Sequence, residues 1–342
     1  MAVLVLGPYP PMRDGIGVYV RDAVERMRAS SEGVTVLSPL EGNGDLRAPF
    51  LGGRAFERAR RLGGTFDRVV VHFQPSLYYR PRRPVSKIAT SIAFLRLAVA
   101  HGPKLEVVVH EADPPALWRP DYLLLRAALR RAGVVSFHTE RERRDFEREY
   151  HTSGRGRVVP HVVGPAEGTA PSRREARTAL GLPHLSAPVF ICAGFLQPSK
   201  GYDRAVNAFG RLRARAASGS RNTPSDAPPA SLYVVGTVRE PTSENLAYAA
   251  DLRARCEAIG GATLVERFVD DREFDLWVAA ADRLVLPYRR AWSSGVLARA
   301  HALGTPALVA DAGGLAEQAG SDDVVFSNDE ELERAMQDVV DG

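Results

Sequence analysis

One pattern limits what this chain can fold into more than any other. Short apolar, β-branched runs alternate from end to end with longer amphipathic stretches. In the first half the runs predict strands at Val3–Leu6, Val34–Leu37, Arg68–Phe73, Leu105–His110, Val134–His138 and Arg157–His161. Helical patterns fall between them, among them Val18–Met27, Val85–Ala100, Tyr122–Ala132 and Glu140–Tyr150. Strands that are apolar throughout, separated by helices, belong to parallel sheets covered on both faces. A second series is expected at Val189–Ala193, Leu232–Val235, Ala262–Glu266, Arg283–Leu286, Ala307–Ala310 and Val324–Phe326. Between the two series, Gly164–Pro183 breaks the rhythm with Gly, Pro and charge.

The fold class expected is therefore α/β, with two doubly wound, Rossmann-like domains facing a cleft. Their bounds read as residues 1–164, a linker at 165–184, and residues 185–342. A chain of 342 residues is too long for one ordinary core, in agreement with two domains. The run Ala216–Ala230, AASGSRNTPSDAPPA, reads as a low-complexity surface insertion without a function of its own.

Charge and cysteine content exclude several classes. Lys+Arg number 45 against 41 Asp+Glu, and Lys87, Lys104 and Lys200 are the only lysines. An arginine skew of this kind reflects codon usage, and a net +4 is far from a nucleic-acid-binding stripe. Cys192 and Cys256 are too few for a disulfide framework or a CxxC redox motif, which fits a reducing, cytoplasmic setting. The start, MAVLVLGPYPP, lacks the charged region of a secretory signal, and no apolar run is long enough to span a bilayer. Arg80, Arg82, Arg83 and Lys87 precede an apolar helix. They read first as a solvated basic face, with peripheral contact at the inner membrane face as the alternative.

Ligands of open α/β sheets bind at the carboxyl ends of the strands, so the loops there are the place to look for chemistry. In Gly7–Gly17, GPYPPMRDGIG, Gly15 and Gly17 would let backbone approach an anion. Val20 stands where a dinucleotide fingerprint needs its third glycine, so that fingerprint fails. In Gly194–Asp203, GFLQPSKGYD, Lys200 offers a point charge suited to a diphosphate just ahead of a helix. In the loop that follows Leu286, Ser293, Ser294, Gly295 and Val296 open a helix whose free N–H groups can face a phosphate. An ordinary solvated lysine and an ordinary N-cap are the plainer readings of these two loops. His110 closes the strand in VVVHEAD, where a satisfied buried histidine competes with a functional one. His72, His138 and His161 also stand at strand ends, but without the spacing of a metal site. No D-x-D occurs, so no carboxylate-held cation is expected and the metal expectation is none.

Taken in order, GIGVYV, VVVHE, VVPHVV, GFLQPSKGYDRAVNAF and ADRLVLPYRRAWSSGVLARAHALGTPALVADAGGLAE resemble the retaining glycosyltransferases of the GT-B fold, family 4. The resemblance implies transfer of a sugar from a nucleotide-diphosphate sugar in polysaccharide or glycoconjugate biosynthesis, with retention and no cofactor or metal. It gives the donor side to the C-terminal domain and the acceptor side to the N-terminal one. On it, Lys200 and Ser293–Val296 hold the diphosphate, Gly15 and Gly17 close over it, His110 meets the donor sugar, and Arg267 and Phe268 meet the base. Two departures stand out. The family's E-x7-E pair reads Ala291 and Arg299, as in a subgroup with P-Y-x-x-A-x-x-S-G-V, and an arginine of the Lys200 loop is Phe195. Those losses keep open a catalytically silent GT-B partner protein, and an epimerase-type enzyme is a further alternative. Donor base, sugar, acceptor, linkage and oligomeric state are not legible.

Overall fold

A computed structural model describes residues 1–12, 14–80, 83–112, 118–152, 154–166, 168–182, 187–219 and 229–342. Arg82 and most of the expected insertion, residues 220–228, lie outside the described residues. The chain divides into two compact units, Met1–Val163 and Gly164–Gly342.

The first unit is built on β1 (Ala2–Leu6), β2 (Gly33–Ser38), β3 (Leu46–Arg47), β4 (Arg68–Phe73), β5 (Leu105–Val109), β6 (Val134–Phe137) and β7 (Gly156–Val158). They pair in parallel in the order β3-β2-β1-β4-β5-β6-β7, so the direction of winding reverses between β1 and β4. Val3 to Leu6 are fully buried, as expected of a strand covered on both faces. Two elements escaped the hydrophobic pattern. Strand β3 is two residues long and pairs only Leu37 with Leu46 and Ser38 with Arg47. The helix Arg54–Leu62 is mostly charged and buries a narrow stripe of Ala55, Phe56 and Ala59.

The second unit holds β8 (Val189–Ala193), β9 (Ser231–Gly236), β10 (Ala262–Glu266), β11 (Arg283–Leu286), β12 (Ala307–Ala310) and β13 (Val324–Phe326). Their order is β10-β9-β8-β11-β12-β13, again parallel, with the reversal between β8 and β11. Cys192 lies in the middle of β8, and burial pushes its thiol far above the ordinary range. Both cysteines are free and buried, so they serve as small apolar side chains.

The expected linker is mostly part of the second unit. Ser172 and Glu175 form a capping box that starts the helix Arg173–Leu180, and Gly181 ends it at φ 64°. Arg177 then fastens this helix down, donating to the carbonyls of Ala280 (2.9 Å) and Ala187 (3.2 Å) and pairing with Asp282 at 2.5 Å.

Arg299, where the resemblance expected a glutamate, has a structural task. It is buried at 4% exposure, ion-pairs with the buried Asp275, and donates to the Gly164 carbonyl at 2.7 Å. The other Asp275 oxygen accepts the Ala166 N–H at 2.7 Å. One buried pair thus holds the first residues of the unit against two helices, Asp271–Ala280 and Gly295–Ala302. Removing one partner strands the other charge away from water. Arg299→Met should therefore lower stability by about 3–5 kcal/mol, and adding Asp275→Leu should restore part of it. Chemical denaturation of both variants checks this; a double variant no better than the single one would contradict it.

Candidate functional site

Three loops at the carboxyl ends of β8, β11 and β12 meet in the second unit. The β8 loop ends in the short turn Pro198–Lys200, followed by Gly201 at φ 63°. A Cβ on Gly201 would lie 2.2 Å from the Pro287 carbonyl oxygen, so only glycine allows the β8 and β11 loops to touch. The contact is reinforced on both sides. Arg289 N–H donates to the Ser199 carbonyl at 2.9 Å, Arg289 and Asp203 pair through two oxygens at 2.6 and 2.7 Å, and Arg204 donates to the Pro287 carbonyl at 3.0 Å. The β12 loop packs on the same structure. Gly313 lies at φ 59°, and a Cβ there would collide with the Ala291 carbonyl.

This packing fixes Lys200. Its ammonium sits 3.8 Å from the centroid of the buried Tyr288 ring. Among the described residues no carboxylate pairs with it, whereas its neighbours Arg204 and Arg289 each pair with an aspartate. An ammonium held on a ring face without a counter-ion is suited to an incoming anion. Phe195, where an arginine was expected, carries the Arg239 guanidinium above its ring at 5.3 Å.

Ser294 is the N-cap of the helix Gly295–Ala302. Its hydroxyl accepts the Leu297 N–H at 3.2 Å, its backbone N–H donates to Gln318 Oε1 at 2.8 Å, and its carbonyl accepts from Gln318 Nε2 at 2.8 Å. Gln318 thereby aims the start of the helix Gly295–Ala302, and no pattern in the sequence singled it out. Gly295 and Val296 are the first two residues of that helix, and Ser293 precedes its cap. At the end of β10, Arg267 pairs with Glu273 through both oxygens, and the Trp277 indole also donates to Glu273 at 3.1 Å. The Arg267 backbone N–H is bonded to the Val265 carbonyl at 3.1 Å, while Phe268 is 39% exposed.

In the first unit, Gly15 and Gly17 do not lie in a loop. They belong to the first turn of the helix Gly15–Ala29, capped by Asp14, whose side chain accepts the Ile16 N–H at 2.8 Å. A Cβ would meet nothing within 4 Å at Gly15 and only ordinary contacts at Gly17, so the fold itself demands glycine at neither.

His110 stands one residue past β5, among other histidines. Strands β4 to β7 are neighbours, and His72, His110, His138 and His161 fall at or just beyond their carboxyl ends. The buried Tyr19 ring packs edge-on against all four, at centroid distances of 5.7, 5.1, 5.1 and 4.9 Å. His72 Nδ1 lies 3.0 Å from His110 Nε2, His110 Nδ1 lies 3.4 Å from His138 Nε2, and His138 Nδ1 lies 3.2 Å from the Val159 carbonyl. Both ring nitrogens of His110 are thus engaged by histidines. Burial lowers His72 to about 3 and His138 to about 4, and it holds His110 and His161 well below the ordinary imidazole range. All four rings are neutral at pH 7. Among the described residues, no group of three or more His, Cys, Asp or Glu side chains is arranged to hold a metal ion.

Residues 187–341, nearly all of the second unit, match the model of the family "Glycosyl transferases group 1". A D-inositol 3-phosphate glycosyltransferase of Jonesia denitrificans is 35% identical over 166 residues, which are 45% of this chain and 36% of that protein. The match thus spans little more than a third of that relative. Among solved structures, sucrose-phosphate synthase from Thermosynechococcus elongatus aligns over 99% of this chain and 90% of its own, with 15% identity and a TM-score of 0.71. Anabaena Alr3699/HepE, solved in complex with UDP, aligns over 100% and 90%, with 14% identity and a TM-score of 0.66. The two-domain α/β fold is that of the GT-B proteins. No helix among the described residues is long and apolar enough to cross a membrane.

The histidine cluster makes stability depend on pH in a definite direction. A ring held neutral in the folded protein titrates near 6.5 once unfolded, so the unfolded chain binds more protons between pH 6.5 and about 4. Stability is therefore full above pH 6.5 and falls as the pH drops through that window, by about 1.4 kcal/mol per pH unit for each such ring. Denaturant midpoints at pH 7.5 and 5.0 should differ accordingly; equal midpoints would contradict the buried, neutral cluster.

Proposed function

We propose that this chain is a glycosyltransferase that takes a sugar from a nucleotide-diphosphate sugar, retains the anomeric configuration and needs no metal ion. One observation carries the reading: the Lys200 ammonium, without a counter-ion, in the loop cluster that also aims the helix start at Gly295. The family match to residues 187–341 and the UDP bound by the Anabaena protein support a nucleotide as the ligand of this unit. Breaking the anomeric C–O bond puts negative charge on the departing diphosphate. A fixed ammonium and the N–H groups of Gly295 and Val296 stabilise that charge more in the transition state than before it, which accelerates the step. With these cationic and N–H groups assigned to the phosphates, and no D-x-D in the sequence, metal-free transfer is the reading that fits. Arg267 and Phe268 are assigned to the base, and His110, Gly15 and Gly17 to the sugar and phosphate contacts that the resemblance implies. The first unit is assigned to the acceptor.

Arg299 favours a second reading, a catalytically silent binding protein. Its side chain is committed to Asp275 and the Gly164 carbonyl, so it cannot replace the carboxylate expected there. Incubation with a panel of nucleotide-sugars separates the two readings. Turnover to free sugar or glycoside supports the enzyme, and binding without turnover supports the silent protein. In the enzyme, Lys200→Ala should lose a charge-assisted contact of about 1.5–3 kcal/mol and lower turnover by one to two orders of magnitude. Gly295→Val should abolish nucleotide binding in calorimetry. Full turnover by a folded Lys200→Ala protein, unaffected by EDTA or not, would remove the lysine from the site, and turnover that requires manganese or magnesium would sink the metal-free mechanism.

A further inference from the structure

The histidine chain of the first unit has a direction, and its direction follows from a single backbone atom. The Val159 carbonyl can only accept, so His138 must carry its proton on Nδ1. In a neutral ring, His138 Nε2 is then an acceptor, and its partner His110 Nδ1 must be the donor. His110 Nε2 is in turn an acceptor, and His72 Nδ1 the donor. The chain ends at His72 Nε2, a bare lone pair, buried and without a hydrogen-bond partner among the described residues. An unrestrained histidine prefers the opposite tautomer, with the proton on Nε2. Three rings in the less favoured form, and one orphaned acceptor, are what this arrangement sustains in place of three relaxed rings.

We propose that His138 is a positioning residue for His110: through it, the Val159 carbonyl fixes His110 as the Nδ1–H tautomer, so that His110 meets a ligand as a hydrogen-bond donor to an oxygen. This rests on the reading above that His110 contacts the donor sugar. The two bonds of His110 are unequal. Its Nε2 is held at 3.0 Å by His72, and its Nδ1–H reaches His138 at the longer 3.4 Å. The longer bond leaves the N–H able to be shared with a second acceptor, as in three-centre bonds. A sugar hydroxyl or ring oxygen satisfies that demand, and a ligand N–H or ammonium does not. The Tyr19 ring, in edge contact with His72, His110, His138 and His161, opposes a flip of the imidazoles that would exchange their nitrogen positions. Arg68, Glu106, Ser136 and Arg157 form an ionic layer on the same strands, and both Glu106 oxygens are engaged within it.

Nitrogen-15 spectra of histidine-labelled protein read the tautomers directly, with no substrate present. In the wild type, His110 and His72 should both show a protonated Nδ1 and a bare Nε2. His138→Phe should convert both rings to the Nε2–H form and lower kcat by roughly five- to tenfold, the effect of about one hydrogen bond, with KM for the nucleotide-sugar little changed. His72→Phe should leave His110 as Nδ1–H, because the direction is set from the Val159 end. A wild-type His110 protonated on Nε2, or a His110 tautomer that responds to His72→Phe and not to His138→Phe, would overturn the proposal. The wild-type spectrum decides the matter even if a variant fails to fold. Lack of turnover by a wild type that shows the expected tautomers would count against the functional reading and leave the chain of hydrogen bonds standing.

Discussion

The second unit depends on one close approach, between the α-carbon of Gly201 and the carbonyl oxygen of Pro287. A side chain at 201 would come within 2.2 Å of that oxygen, and the backbone there is left-handed as well. The placing of the lysine in this region follows from this contact. It brings the β8 loop onto the β11 loop, which places Lys200 over the Tyr288 ring and lets Arg289 and Arg204 take up the neighbouring carbonyls and aspartates. Asp203 and Asp329 are paired with Arg289 and Arg204, and among the described residues no carboxylate pairs with the lysine.

The first unit uses a different physical means. Its sheet face carries an ionic layer, Arg68–Glu106–Ser136–Arg157, and a histidine layer further along the same strands. Burial alone would raise the Glu106 carboxyl, but Arg68, Ser136 and Arg157 outweigh it and hold it below the ordinary range. On the imidazoles burial outweighs the opposing pull of Glu106 on His72 and of the Val159 carbonyl on His138, so these rings stay neutral. A charged layer that is fully paired and a neutral layer ordered by tautomers can lie in one core, because neither leaves an isolated charge away from water.

Much of this fold was legible in the sequence. Continuous apolar runs such as Val3–Leu6 and Val189–Ala193 are strands because a parallel strand buried on both faces must be apolar throughout. Strand β3 and the helix Arg54–Leu62 were not legible, since two residues make no pattern and a stripe of three buried residues hardly makes one. The loops bearing Lys200 and Ser294 could be picked out by their places after strands. Gln318 could not, because its role comes from a reciprocal bond across 24 residues. The four histidines were each visible at a strand end, yet their meeting depends on the strand order β4-β5-β6-β7, which local sequence does not contain. Gly15 and Gly17 taught the reverse lesson: loop glycines in the sequence proved to be the first turn of a helix.

The most direct test of the central claim is a calorimetric titration of UDP into the wild type, Gly201→Ala and Gly154→Ala, with a melting curve for each. Gly154 has a positive φ of 87° like Gly201, but a Cβ there meets nothing within 4 Å, so it controls for backbone strain alone. If loop contact builds the site, Gly201→Ala should bind UDP at least tenfold more weakly, about 1.4 kcal/mol, while Gly154→Ala binds as the wild type does. Wild-type affinity in Gly201→Ala, with an unchanged melting curve, would contradict the account.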